Sequence, residues 1–174
     1  MGLRITGGSA RGRVLRGDVP SGIRPTGSRV REALFSVVGQ DLEGVRFLDA
    51  FAGSGIMALE AWSRGAEVVA VEKNPRSAGR IKGLCAELGA VVEVRVGDVT
   101  RVADGLGTFG VVYADPPFAL DPAPLLEALA PCVEGVLFLE ADRKTAVPET
   151  VAHLRRSRVR EFGNVVVHEL RSPR

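Results

Sequence analysis

The sequence predicts an open, Rossmann-like α/β sheet. It is mostly parallel, closes with an antiparallel C-terminal hairpin, and is preceded by a small N-terminal β-hairpin and helix. Three observations carry that expectation. First, the apolar run Val45 to Leu48 ends in Asp49, then a small-residue turn, then a helical pattern from Ile56; strand, glycine turn and helix make the first half of a nucleotide-type βαβ unit. Second, apolar runs alternate with helix-period segments as far as Glu140, the signature of a parallel sheet covered on both faces. Third, only Gly163-Asn164 separates Arg158–Phe162 from Val165–Leu170, so no helix fits between them and they should pair antiparallel.

The elements follow in order. Leu3 to Thr6 and Arg13 to Arg16 flank a glycine turn and can pair as a hairpin. Gly22-Ile23-Arg24-Pro25-Thr26 is extended before its proline. Thr26 or Ser28 can then cap a helix from Arg29 to Val38, with Val30, Leu34, Val37 and Val38 on its apolar face and Arg29, Arg31 and Glu32 outside or reaching a ligand. Val45–Leu48, Ala66–Glu72, Val91–Val96, Phe109–Ala114 and Gly135–Glu140 are the five parallel strands. With the closing pair the sheet has seven strands. Pro75 suits the first turn of the helix that carries Ala78, Ile81, Leu84, Cys85 and Leu88. Leu125 to Ala130 forms a short helix.

The 174 residues suit one domain with a real core, 1–174, whose residues 1–40 form a basic arm and helix. No apolar run approaches the ~18 residues of a membrane span, and Met1 to Ser9 has no signal-peptide core. A cytoplasmic location is therefore expected. Cys85 and Cys132 are isolated and suit core packing in a reducing compartment. The two histidines have no metal spacing, and no metal is expected. Net charge is +2, but residues 1–46 and 155–174 each carry +4 and the centre carries −6. Both basic ends use Arg almost alone, which suits bidentate phosphate contact; the same pattern would also arise from a solvated surface in an arginine-biased composition.

Gly53-x-Gly55-x-x-Ala58 formally fits a dinucleotide fingerprint. Asp49 argues against it, because a carboxylate at the strand end would repel the pyrophosphate that such a loop receives. S-adenosylmethionine carries an ammonium and a sulfonium, and a carboxylate suits both. The first four strands each end in an acid: Asp49, Glu72, Asp98 and Asp115. On one rim their mutual repulsion would be costly without a cationic ligand. Asp49 can hold the ammonium, Glu72 the ribose hydroxyls, and Asp98 the adenine amino group with Val99 packed on the ring.

Asp115-Pro116-Pro117-Phe118 is the sharpest signal. A nucleobase amino nitrogen is a poor nucleophile because its lone pair is delocalised. The Asp115 carboxylate and the Pro116 carbonyl can each accept an amino hydrogen and turn that lone pair toward a methyl donor. Pro117 stiffens the loop, and Phe118 offers a stacking face for a splayed base. A proline turn that merely caps the fourth strand is the plain alternative.

These motifs resemble class I methyltransferases acting on base amino groups. With Arg4-Ile-Thr-Gly-Gly8, Arg11-Gly-Arg13, Arg24-Pro-Thr26, Arg29-Val-Arg-Glu-Ala-Leu-Phe35 and Leu59-Glu-Ala-Trp-Ser-Arg-Gly65, the chain resembles the RsmD family of bacterial 16S rRNA guanine-N2 methyltransferases. It departs mildly, with Ala58 where that family often has glycine and Phe162 where it often has tyrosine. The resemblance implies S-adenosylmethionine as cofactor, held by Asp49, Ala52, Gly53, Ser54, Gly55, Glu72, Lys73, Asp98, Val99 and Asp115. It implies catalysis by Asp115 to Phe118. It also implies small-subunit rRNA, in an assembled or assembling subunit, contacted by Arg4, Arg11, Arg13, Arg24, Thr26 and Arg29. The rival expectations are a DNA-adenine methyltransferase, a dinucleotide oxidoreductase and a non-enzymatic RNA-binding module.

Overall fold

The computed structural model describes residues 3–15 and 26–172. Arg16, Arg24 and the extended segment expected at Gly22–Pro25 lie outside the described residues. The order is β1 (Leu3–Arg4), β2 (Val14–Leu15), α1 (Ser28–Val38), β3 (Arg46–Asp49), α2 (Ile56–Ser63), β4 (Glu67–Glu72), α3 (Pro75–Leu88), β5 (Val92–Val96), α4 (Val99–Val102), β6 (Phe109–Ala114), α5 (Pro122–Leu129), β7 (Val133–Asp142), β8 (Thr150–Val151), β9 (Leu154–Phe162) and β10 (Val165–Arg171).

β1 and β2 pair antiparallel as the expected hairpin, and the main sheet runs β5-β4-β3-β6-β7-β10-β9-β8. β3 through β7 are mutually parallel, while β10 pairs antiparallel with both β7 and β9. The chain builds outward from β3 to β5, then returns to the other side of β3 with β6. The strand order therefore reverses between β3 and β6, and such a reversal opens a ligand crevice at the strands' carboxyl ends.

The sheet has eight strands, not the seven expected. The eighth, β8, is two residues paired with the start of β9. β9 begins at Leu154, earlier than its alternation suggests, because Val151 and Leu154 are both buried in the core. A two-residue strand carries no readable period.

Side chains alternate across the sheet and build two cores. Phe47, Val68, Val111, Tyr113 and Phe138 face α1, α2 and α3. Leu48, Val69, Val112, Leu137 and Leu139 face α4 and α5. α3 starts as expected, with Pro75 at its first turn and the Asn74 side chain accepting from Arg76 N and Ser77 N. α1 does not: Gly27 is its N-cap, with no side-chain cap bond. Thr26 is unavailable for capping because its hydroxyl is hydrogen-bonded to Tyr113 Oη at 2.9 Å.

Arg31 also departs from expectation. It is buried, and its Nε meets Glu60 Oε1 at 3.1 Å. Its two Nη groups donate to the carbonyls of Thr26 and Arg4. Arg64 reaches Glu60 Oε2 at 2.5 Å, with its guanidinium over the Phe35 ring. Thr6 donates to the same carboxylate through its N–H and its hydroxyl. Glu60 is fully buried, so its charge requires this complete set of partners. The cluster ties the N-terminal hairpin and α1 to α2. Gly8 completes the junction: its φ is 76°, and a Cβ there would lie 1.8 Å from the Ser63 carbonyl oxygen.

Candidate active site

A cleft of about 1240 Å³ opens at the carboxyl ends of β3, β4 and β6. Asp49, Glu72, Asp98 and Asp115 all line it. Ala52, Gly53, Ser54, Lys73 and Val99 line it too, as do Pro116, Pro117 and Phe118. Gly55 does not. It takes the left-handed conformation at the start of α2 and packs against Ile81, so it shapes the turn without forming the wall. From the arm, Thr26 and Arg29 reach the cleft. Arg11 and Arg13 are exposed on the hairpin, and Arg4 donates to the Gly12 carbonyl.

The acids have distinct surroundings. Asp49 is 1% exposed. Its Oδ2 accepts from Ala58 N at 3.1 Å, capping the first turn of α2 from the neighbouring strand. Its Oδ1 is buried with no hydrogen-bond partner among the described residues. One carboxylate therefore has an oxygen committed to α2 and one without a formed hydrogen bond, near which the Phe51 N–H group still eases the charge. Burial pushes its pKa up to about 7; the Ala58 and Phe51 N–H groups oppose the rise, and the charges of Asp115 and Glu72 add to it. An uncompensated buried carboxylate is costly, and a cation at Oδ1 would relieve that cost.

Glu72 joins two turns: Oε2 accepts from Gly53 N at 2.8 Å and Oε1 from Asn74 N at 2.7 Å. Each oxygen retains a lone pair that can accept a further hydrogen bond from the cleft. Asp98 caps α4 by accepting from Thr100 N and Oγ1, and Lys73 Nζ lies 3.2 Å from its other oxygen. The Thr100 hydroxyl and Lys73 hold its pKa below the usual carboxylate range. Within the loop Pro116 is buried, whereas Phe118 is 46% exposed.

One part of the site went unread in the sequence. Tyr113, two residues before Asp115 on β6, donates to Glu140 Oε1 on β7 and shares a hydrogen bond with Thr26. All three line the cleft. Burial and the charges of Glu140 and Asp115 raise the Tyr113 phenol well above its ordinary value, so it stays protonated as a donor. The available signal was Glu140 itself, an acid directly after the apolar run Val136–Leu139, where a buried carboxylate demands a partner.

Among the described residues, no group of three His, Cys, Asp or Glu could hold a metal ion. No described helix is long and apolar enough to cross a membrane.

An open parallel sheet with an antiparallel closing strand pair, and a strand-end acid series around one cleft, defines a class I methyltransferase. Residues 3–171 match the family model described as "Conserved hypothetical protein 95". A Bacillus subtilis (strain 168) protein, "Putative rRNA methyltransferase YlbH", is 30% identical over 92% of this chain and 94% of its own length. "Ribosomal RNA small subunit methyltransferase D" of Escherichia coli (strain K12) is 30% identical over 94% of this chain and 86% of its own. The solved structure of "Putative methyltransferase yhhF from Escherichia coli" superposes with a TM-score of 0.83 at 30% identity, covering 98% of this chain and 97% of that one. The chain belongs to this family, the RsmD family that its motifs resemble.

Proposed function

We propose that this chain transfers a methyl group from S-adenosylmethionine to the exocyclic N2 amino group of a guanine in small-subunit 16S rRNA. The observation that carries this reading is one cleft lined both by the buried Asp49 carboxylate, whose Oδ1 has no hydrogen bond among the described residues, and by Asp115-Pro116-Pro117-Phe118. The small-subunit rRNA named for the Escherichia coli relative supports the substrate class.

The residues present fit the cofactor. Asp49 Oδ1 would accept the methionine ammonium, Glu72 the ribose hydroxyls, and Asp98 with Val99 the adenine. When bound, S-adenosylmethionine supplies an electrophilic methyl on a sulfonium. The protein's contribution is position and charge. Phe118 stacks the displaced base at the cleft mouth. Asp115 and the Pro116 carbonyl would accept hydrogen bonds from the two amino hydrogens, which frees the nitrogen lone pair for in-line attack on the methyl carbon as its bond to sulfur breaks, stabilises the positive charge that develops on nitrogen, and lets the surplus proton leave through Asp115 to water. Tyr113, held by Glu140 and Thr26, fixes the end of β6 from which the loop departs. Arg29 at the cleft rim and Arg11 and Arg13 on the hairpin meet RNA phosphates. The partner is a small ribosomal subunit, assembled or assembling, in the cytoplasm.

The test is single-turnover methylation of small-subunit RNA, with the product mapped by mass. Wild type should place the methyl on a guanine amino group. Asp115→Ala should lower the transfer rate at least ~100-fold at saturating cofactor. A folded, fully active Asp115→Ala protein, or a methyl on a ring carbon or ribose hydroxyl, would refute the mechanism.

A further inference from the structure

We propose that a second groove, between α1 and the C-terminal strands, binds the RNA backbone beside the target nucleotide; this rests on the function proposed above. The groove has a volume of about 680 Å³. One wall is α1, through Ala33, Ser36 and Val37. The other is Arg158 and Arg160 of β9 with Arg171 of β10.

Its charge is organised. Glu169 is 6% exposed at the base and accepts from Arg160 Nη1 and Arg171 Nε, each at 2.7 Å. Burial pushes its carboxyl up, but the two guanidinium groups outweigh that and hold its pKa below the usual range. Glu169 therefore stays ionised and locks two arginine side chains in place. Each uses one nitrogen on Glu169, leaving further donors of its guanidinium fork for a ligand. Arg158 is exposed and has no ion-pair partner among the described residues. Three arginines against one acid leave a net +2 in a concave site, which suits a polyanion.

The groove continues the catalytic cleft along both walls. On α1, Arg29 lines the cleft and Ser36 the groove, a rise of about 10 Å. On β9, Phe162 lines the cleft and Arg158 the groove, about 13 Å along the strand. One track thus runs from the cleft mouth over two elements. A strand entering it would have its phosphates gripped while the target base turns into the cleft, the division of labour expected when backbone contacts set register. Arginines on β9 have a plainer use, because β8 covers only its first residues and charge protects an exposed strand edge. That use does not account for α1 forming a second wall opposite those arginines.

The experiment uses the full chain with Arg158→Glu, Ser36→Glu and, as control, Lys82→Glu on α3, which packs by β5 at the opposite edge of the sheet from β9. Affinity for a small-subunit RNA fragment is measured by filter binding across a KCl series. S-adenosylhomocysteine binding is measured by calorimetry. Both groove variants should bind RNA more weakly. For Arg158→Glu, the plot of log affinity against log salt should be shallower by about 0.7–0.9 per lost phosphate contact. Lys82→Glu should match wild type, and S-adenosylhomocysteine affinity should hold in all three. Groove variants that bind RNA as wild type does, or no more weakly than Lys82→Glu, would overturn the proposal, as would loss of S-adenosylhomocysteine binding. Wild-type methylation of the same RNA is measured first. Its absence would defeat the proposed function, whereas an active wild type with unmoved variants would defeat the groove alone.

Discussion

Asp49 should make cofactor binding depend on pH near neutrality. Its carboxyl has a pKa of about 7 in the free protein, chiefly through burial, and in the function proposed above its ionised form would meet the cofactor's ammonium. Below pH 7 the free protein holds a proton there that the cofactor must expel. At pH 8 about nine-tenths of Asp49 is ionised and at pH 6 about one-tenth, so the apparent Kd should rise about tenfold between them. Binding should release close to one proton at pH 6 and almost none at pH 8. Calorimetry with S-adenosylhomocysteine, in buffers of different ionisation heat, reads both quantities. The sign for stability is opposite. The folded pKa lies above the ordinary 3.8, so the contribution to the free fold is fully present below about pH 4 and lost as pH rises through 7. The gap corresponds to about 4 kcal/mol. Asp49→Asn should therefore raise the thermal midpoint of the free protein at pH 8 while weakening cofactor binding and flattening its pH dependence. Wild-type binding that is constant from pH 6 to 8, with Asp49→Asn binding equally well, would refute the reasoning.

Glu72→Ala should cost roughly 1.5–3 kcal/mol of cofactor affinity, since it removes charge-assisted hydrogen bonds; unchanged calorimetric binding in a folded variant would take Glu72 out of the site. Phe118→Ala should lose about 1–3 kcal/mol of base stacking, whereas Phe118→Tyr keeps the ring and should retain much of the single-turnover rate. Glu60→Ala leaves Arg31 and Arg64 buried without their acid and should destabilise the fold by about 3–5 kcal/mol in a urea titration.

Most of the scaffold was legible because its signals are local. The five parallel strands show as apolar runs, α3 shows Asn74-Pro75 at its start, and the closing hairpin shows Gly163-Asn164. The strand-end acids were legible because an open sheet brings strand ends to one rim, and all four line the cleft. What escaped depends on partners distant in the chain. Arg31 reads as a surface residue of an amphipathic helix until Glu60 arrives from α2. Thr26 reads as a cap until Tyr113, 87 residues away, takes its hydroxyl. β8 exists only because β9 offers an edge beside Val151. In each case the residue type was visible and the contact that gives it meaning was not.

The Glu60 cluster has a consequence for how this protein can be taken apart. An N-terminal arm of this kind looks like a module to be deleted, or exchanged for that of a relative, without touching the catalytic half. Here the arm and the catalytic half share one buried charge balance. Thr6, the Arg4 carbonyl and Arg31 lie on the arm side, and Glu60 with Arg64 on the other. Cutting away residues 1–40 would strand Glu60 in the interior with Arg64 as its sole cation from the cluster. An exchanged arm would have to bring a threonine and an arginine to the same two oxygens. The transferable unit is therefore the hairpin, α1 and α2 together, and a chimera joined between α1 and β3 inherits a conflict of charge before it meets any substrate.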